Sequence, residues 1–99
     1  MLYMILGHDR SDSLALRRAT RPEHVAYLQQ LIDQGRLVMA GPRPRIDASD
    51  PGDAGFAGSL IVAEFDDLAS AKAWAAADPY QRAGVFDSVV VEPFIKALP

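Results

Sequence analysis

The order of its apolar segments constrains the fold of this chain more than any single motif does. Apolar runs predict strands at Leu2–Gly7, Leu37–Ala40, Ser59–Phe65 and about Val85–Ile95. Helical spacing predicts main helices at about Arg21–Gln34 and Leu68–Ala77. The order strand, helix, strand, strand, helix, strand predicts an α+β domain of the split βαβ type. In it both helices cover one face of a four-stranded antiparallel sheet, and a single domain spans residues 1–99.

The start of the first main helix is predicted from a capping pattern. Thr20 and Glu23 have the spacing of a capping box, and Pro22 suits the first turn of a helix. We therefore expect a short helical piece over residues 11–19, a kink, and then the main helix. The apolar face of this helix is predicted to contain Val25, Leu28, Leu31 and Ile32.

Two titratable side chains are predicted to meet at one end of the molecule. His24 lies on the helical stripe of Leu28 and Leu31, so its side chain is expected to lean toward the core. Asp78 ends the second helix, because the proline after it cannot continue a helix. The helices run antiparallel in this topology, so the start of one lies beside the end of the other. We predict that His24 contacts Asp78 in a small cleft, near a strand interruption at residues 41–42.

Both faces of the predicted sheet are apolar. On the first strand Leu2, Met4 and Leu6 occupy one face, while Tyr3 and Ile5 occupy the other. Two helices cover only one face, so a wide apolar surface remains, which is typical of an interface. We expect a homodimer in which sheet packs on sheet.

Composition narrows the classes of function. The net charge of −3 leaves no basic excess to neutralise phosphates, so nucleic-acid binding is not expected. The chain has no cysteine and no segment long enough to span a bilayer, and we expect a cytoplasmic protein without membrane contact. It has no glycine-rich phosphate loop, and its two histidines lack metal-ligand spacing. We predict neither a cofactor nor a metal site.

A set of short motifs in fixed order carries a family resemblance over essentially the whole chain. They are Leu2-Tyr3, Arg21-Pro22-Glu23-His24, Gly35-Arg36-Leu37, Ala40-Gly41-Pro42, Asp50-Pro51-Gly52, Ala77-Asp78-Pro79-Tyr80 and Val91-Glu92-Pro93-Phe94. With these motifs the chain resembles the YCII-related family. The resemblance implies a dimeric, ferredoxin-like α+β barrel whose active site holds a histidine and an aspartate, which match His24 and Asp78. The family includes at least one dehydrochlorinase acting on a chlorinated hydroxyhydroquinone, so the resemblance implies a small, cyclic, hydroxylated ligand.

The pair of His24 and Asp78 supports two interpretations. In the first, the imidazole of His24 transfers a proton and Asp78 fixes its tautomer, in an elimination or isomerisation that needs no cofactor. In the second, the pair only satisfies two partly buried polar groups of a non-catalytic ligand-binding or regulatory dimer. The Asp78-Pro79 dipeptide would then only end a helix.

Four further residues are candidates for contact with a small-molecule ligand. Tyr80 offers either a hydroxyl for the ligand or a half-buried ring over the helix end. Gly41 and Pro42 are explained first by strand geometry, although a position without a side chain also lets a ligand approach the backbone. Arg43 is a candidate rim residue for an anionic substrate, or is simply solvated. The turn-rich segment 47–56 is a candidate lid.

Overall fold

The computed structural model describes residues 1–99 and contains one four-stranded sheet. The elements in chain order are β1 (Leu2–Asp9), α1 (Leu14–Asp33), β2 (Leu37–Pro44), a 3₁₀ turn (Gly52–Ala54), β3 (Phe56–Glu64), α2 (Leu68–Ala76), α3 (Pro79–Ala83) and β4 (Phe86–Phe94). The strand order is β2-β3-β1-β4, and every neighbouring pair is antiparallel. The predicted α+β architecture is confirmed, and its topology is that of the ferredoxin-like fold.

The core lies between the helices and one face of the sheet. Tyr3 and Ile5 of β1 alternate with outward-facing neighbours, and they are paired with Ala63 and Ile61 of β3. The helices contribute small and branched side chains to the same cluster, namely Leu28, Leu31, Ala71 and Ala75. Both long helices therefore pack on one face of the sheet, as the element order predicted. No helix is long and apolar enough to cross a membrane.

The predicted start of the first helix at Thr20 is wrong. α1 is one continuous helix with Pro22 inside it, and Thr20 is buried mid-helix where it caps nothing. An internal proline costs about 3 kcal/mol, in part because the carbonyl four residues earlier loses its N–H partner. Pro22 and Arg18, which carries that carbonyl, lie on the exposed side, so water can replace the lost bond. The buried stripe runs through both halves of the helix and holds it together; it consists of Arg17, Thr20, His24, Leu28 and Leu31.

Two residues of the predicted apolar face are not in the core. Val25 is 43% exposed and Ile32 is 51% exposed, because the buried stripe of α1 passes beside them. Both side chains therefore remain accessible on the surface of α1.

The predicted interruption of the second strand at Gly41 and Pro42 is also wrong. β2 continues through both residues, which pair with Leu60 and Ser59 of β3. β2 is an edge strand, where a residue without an N–H is tolerated. The register shifts instead near the two ends of β2.

The sheet face opposite the helices carries a continuous apolar row. Leu6 at its centre is paired with Leu60 on one side and Val90 on the other. Met4 lies between Val62 and Glu92 in the next row. The single subunit leaves Leu6 and Met4 only partly buried.

Candidate active site

The imidazole of His24 is hydrogen-bonded to the carboxylate of Asp78. His24 Nδ1 lies 2.8 Å from Asp78 Oδ1, and the two residues are 8% and 2% exposed. Asp78 is placed by the end of α2 and the start of α3, where the same Oδ1 accepts the backbone N–H of Tyr80 at 2.9 Å. The aspartate therefore caps α3 and binds the histidine with one oxygen.

The contacts of Asp78 fix the tautomer of His24. A carboxylate only accepts hydrogen bonds, so Nδ1 of His24 carries the proton and Nε2 presents a lone pair. Nε2 has no hydrogen-bond partner within the chain. Two fully buried side-chain nitrogen or oxygen atoms lack a hydrogen-bond partner, Arg43 Nε and Gln81 Oε1. Nε2 of His24 also lacks a partner but is not one of these two atoms, so it keeps contact with solvent. The arrangement can accept a proton at Nε2.

The aromatic ring of Tyr80 packs against the imidazole of His24. The two ring centroids are 3.8 Å apart and the planes differ by 12°, so the rings are stacked. Phe86 meets the Tyr80 ring edge-on, which fixes its position. Burial raises the pKa of the Tyr80 hydroxyl, although the positive charges of Arg17 and Arg21 act in the opposite direction. Tyr80 is therefore a neutral hydrogen-bond donor at physiological pH.

A buried ion pair lies beside this ring. Arg17 binds Asp9 through two hydrogen bonds of 2.7 and 2.8 Å, and donates a third of 2.8 Å to Ser59 Oγ. Its guanidinium also lies over the Tyr80 ring, 4.7 Å from the centroid. Arg17 was missed by the sequence analysis, because the break predicted before Pro22 removed it from the helical stripe that contains His24.

His24, Tyr80 and Arg17 line a cavity of about 500 Å³ that lies between α1, β2 and the segment before β3. Its wall contains Arg17, Arg18, Arg21, His24, Val25, Leu28, Ile32, Leu37, Ala40, Gly41, Pro42, Asp50, Pro51, Gly52, Phe56, Ser59 and Tyr80. A cavity of this size accommodates a single-ring metabolite.

The cavity brings together most of the predicted site residues. His24, Gly41, Pro42 and Tyr80 line it, and Asp78 lies behind His24. Arg43 is not part of the lining. Arg43 is paired with Gly58 of β3, and its side chain lies on the sheet face opposite the helices. There its guanidinium contacts the Gly7 carbonyl and His8 Nδ1.

The predicted lid segment contributes four residues to the cavity wall. These are Asp50, Pro51, Gly52 and Phe56. The Gly52 carbonyl accepts one long hydrogen bond of 3.4 Å from Arg18, which links the segment to α1. No group of three histidine, aspartate or glutamate side chains is close enough together to hold a metal ion.

The whole chain is similar to known proteins of one family. A model of the YCII-related domain matches residues 1–95. The chain belongs to the YCII-related family. It is 55% identical to Protein YciI of Escherichia coli over 97% of this chain and 98% of that protein. It is 48% identical to an uncharacterized protein of Haemophilus influenzae over the same shares.

A solved structure extends the family likeness to an enzyme. The 5-chloro-2-hydroxyhydroquinone dehydrochlorinase TftG of Burkholderia phenoliruptrix, in complex with 2,5-dihydroxybenzoquinone, superimposes with a TM-score of 0.85 at 27% identity. The alignment covers 96% of this chain and 94% of that one. The family and the ferredoxin-like fold implied by the sequence motifs are thus confirmed, whereas the implied dimer stays a prediction.

Proposed function

We propose that this member of the YCII-related family is an acid–base catalyst that eliminates a leaving group from, or isomerises, a small cyclic hydroxylated metabolite. The observation that carries the proposal is the imidazole of His24, which is bound to Asp78 through Nδ1, has no hydrogen-bond partner at Nε2, and belongs to a residue that lines a cavity of about 500 Å³. A base that is oriented by a second group and reaches a ligand-sized cavity is the usual arrangement for proton transfer.

The proposed reaction begins with proton transfer to His24 Nε2. The proton comes from a C–H or O–H group of the substrate, and the electron pair left behind forms a new double bond. In an elimination the leaving group departs from the adjacent position with its electron pair, and His24 then gives its proton to that group or to water. In an isomerisation the same proton returns to a different atom of the substrate. Asp78 holds the imidazole ring of His24 in place and offsets the positive charge that His24 gains. No redox step or cofactor is required.

Substrate contacts are proposed for Gly41, Pro42 and Tyr80, which line the cavity beside His24. The hydroxyl of Tyr80 is a neutral donor for a substrate oxygen. Arg43 is left out of the proposed site, because its guanidinium is bound to backbone and to His8 on the opposite face of the sheet.

The similarity to TftG supports this class of chemistry. Removal of hydrogen chloride from a ring needs a base for the proton, and the base in this chain is His24. The alignment with that enzyme spans 96% of this chain, so the comparison includes every element that builds the cavity.

We further propose that the protein acts as a homodimer in the cytoplasm. The apolar row around Leu6, between Leu60 and Val90, is left partly open by a single subunit. A second copy packed sheet against sheet would cover it.

The test is a turnover screen of wild type against His24→Gln. Halogenated and hydroxylated single-ring substrates are incubated with each protein, and products are identified by mass spectrometry. Loss of His24 is expected to reduce turnover by about 10² to 10⁴-fold. The exposed neighbour Glu23 provides the control, since Glu23→Gln also changes one side chain of α1 but lies outside the cavity wall. Equal turnover by wild type and His24→Gln would refute the catalytic role.

The second candidate is a ligand-binding dimer without catalysis. The observation that favours it is the cap that Asp78 provides to α3, which explains the aspartate without any reaction. In that case ligands bind to wild type and are recovered unchanged, and His24→Gln affects only the affinity.

A further inference from the structure

The side chains that α1 presents to the cavity change character along the helix axis. From the N-terminal to the C-terminal side they are Arg17, Arg18, Arg21, His24, Val25, Leu28 and Ile32. Cationic groups therefore lie on one side of the catalytic candidate and apolar groups on the other. The cavity is amphipathic along the direction of α1.

The positive charge at the cationic end belongs mainly to Arg21 and Arg18. Arg17 is neutralised by Asp9, which it binds through two hydrogen bonds. The side chain of Arg18 makes only one hydrogen bond, of 3.4 Å, and the side chain of Arg21 makes none within the chain. Asp50 is the only carboxylate in the cavity wall. In a chain with a net charge of −3, this end of the cavity is a local region of opposite sign.

Arg21 is placed to act together with the base. It lies three residues before His24 on α1, which separates the two side chains by about 5 Å along the helix axis. Its charge also reaches the Tyr80 hydroxyl, whose pKa it lowers against the effect of burial. Arg21, Tyr80 and His24 therefore surround one region of the cavity.

This geometry narrows the substrate class of the proposed function, and the inference rests on that function. We propose that the substrate is a ring with one ionised acidic group, which Arg21 binds while His24 Nε2 faces an atom about 5 Å away along α1. The acidic group is a carboxylate or an ionised enol or phenol, both of which accept the paired N–H groups of a guanidinium. The opposite, apolar end of the ring lies against Leu28 and Ile32. Arg21 is thus a specificity-determining residue.

The experiment measures binding, so it does not depend on turnover. Two pairs of probes are titrated by calorimetry: 2-hydroxy-5-isopropyl-1,4-benzoquinone against its methyl ether, and 4-isopropylbenzoate against 4-isopropylbenzamide. In each pair the first member is anionic at pH 7 and the second is a neutral molecule of similar shape. The proteins are wild type, Arg21→Gln, Arg21→Lys and the control Arg82→Gln. Arg82 is exposed on α3 outside the cavity wall, so it tests the same change in net charge.

Wild type is expected to bind at least one anion at least tenfold more tightly than its neutral partner. Arg21→Gln should lower the affinity for that anion by about tenfold or more, and Arg21→Lys should lower it by less. Arg82→Gln should lower this affinity by under about twofold. Affinity for the neutral probes should not change with Arg21. The proposal is overturned if neither pair shows a preference for the anion, or if the variants at positions 21 and 82 weaken anion binding equally. Failure of the proposed function is seen separately, as absence of turnover while the anion preference remains.

Discussion

The two tasks of Asp78 can be separated by comparing Asp78→Ala with Asp78→Asn. In the native chain Oδ1 accepts the N–H of Tyr80 and the Nδ1–H of His24. Alanine removes both acceptors. Asparagine keeps an oxygen in a similar position but carries no negative charge, so it retains the shape of the site and loses its electrostatics.

The expected stability losses follow from these contacts. In Asp78→Ala the missing cap of α3 costs about 1 kcal/mol. The buried Nδ1–H of His24 is left without a partner, which costs about 1 to 3 kcal/mol more. The free energy of unfolding should therefore fall by about 2 to 4 kcal/mol, and Tm by at least about 10 °C for a domain of this size. In Asp78→Asn the loss should stay below about 1 kcal/mol, because asparagine caps helices as well as aspartate does.

Urea unfolding followed by circular dichroism measures the stability of both variants at one fixed protein concentration, since any self-association would contribute to apparent stability. The turnover assay then measures catalysis by the folded Asp78→Asn protein, which should be reduced by about 10²-fold or more. Equal destabilisation by alanine and asparagine would contradict the assigned hydrogen bonds. A stable Asp78→Asn variant with native turnover would show that the charge of Asp78 has no part in catalysis.

Four further predictions concern other parts of the molecule. Arg17→Ala should lower the free energy of unfolding by about 3 to 5 kcal/mol in urea titrations because it leaves Asp9 buried and unpaired, and adding Asp9→Ala should cost less than the sum of the single changes. Gly7→Ala should cost about 1 to 3 kcal/mol, since a Cβ atom there would lie 2.6 Å from the Phe86 ring, and an unchanged urea midpoint would contradict this packing. Leu6→Glu should convert the proposed dimer to a monomer in light scattering, whereas a variant that stays dimeric would place the interface elsewhere. Burial raises the pKa of both Tyr80 and Tyr27, so above about pH 10 these hydroxyls ionise in the unfolded chain before they ionise in the folded one. The free energy of unfolding should therefore fall as the pH rises, and in urea titrations it should fall less steeply for the Tyr27→Phe, Tyr80→Phe double variant than for wild type.

The element order predicted the topology, because four apolar strands and two helical segments allow few arrangements of this length. Local signals near Thr20 and Gly41 were misinterpreted for a common reason. Pro22 and Pro42 suggest an end of regular structure, yet each occupies a place where a missing N–H is tolerated. Pro22 lies on the exposed side of α1, and Pro42 lies in an edge strand. Tertiary position decided both cases, and a local pattern does not contain it.

The continuity of α1 also explains why part of the site was missed. Within one helix, the spacing of 3, 4, 4 and 3 residues connects Arg17, Thr20, His24, Leu28 and Leu31 into a single buried stripe. Three of these five residues are polar, and a polar stripe at core spacing indicates that the helix faces either an ion-pair network or a polar cavity. Here it faces both, since Arg17 and His24 each bind a buried carboxylate and each line the cavity. His24 also lies far from the start of α1, so the dipole of this helix does not act on it. The continuity of α1 thus places Arg21 one turn before His24, whereas the orienting carboxylate comes from the junction of α2 and α3.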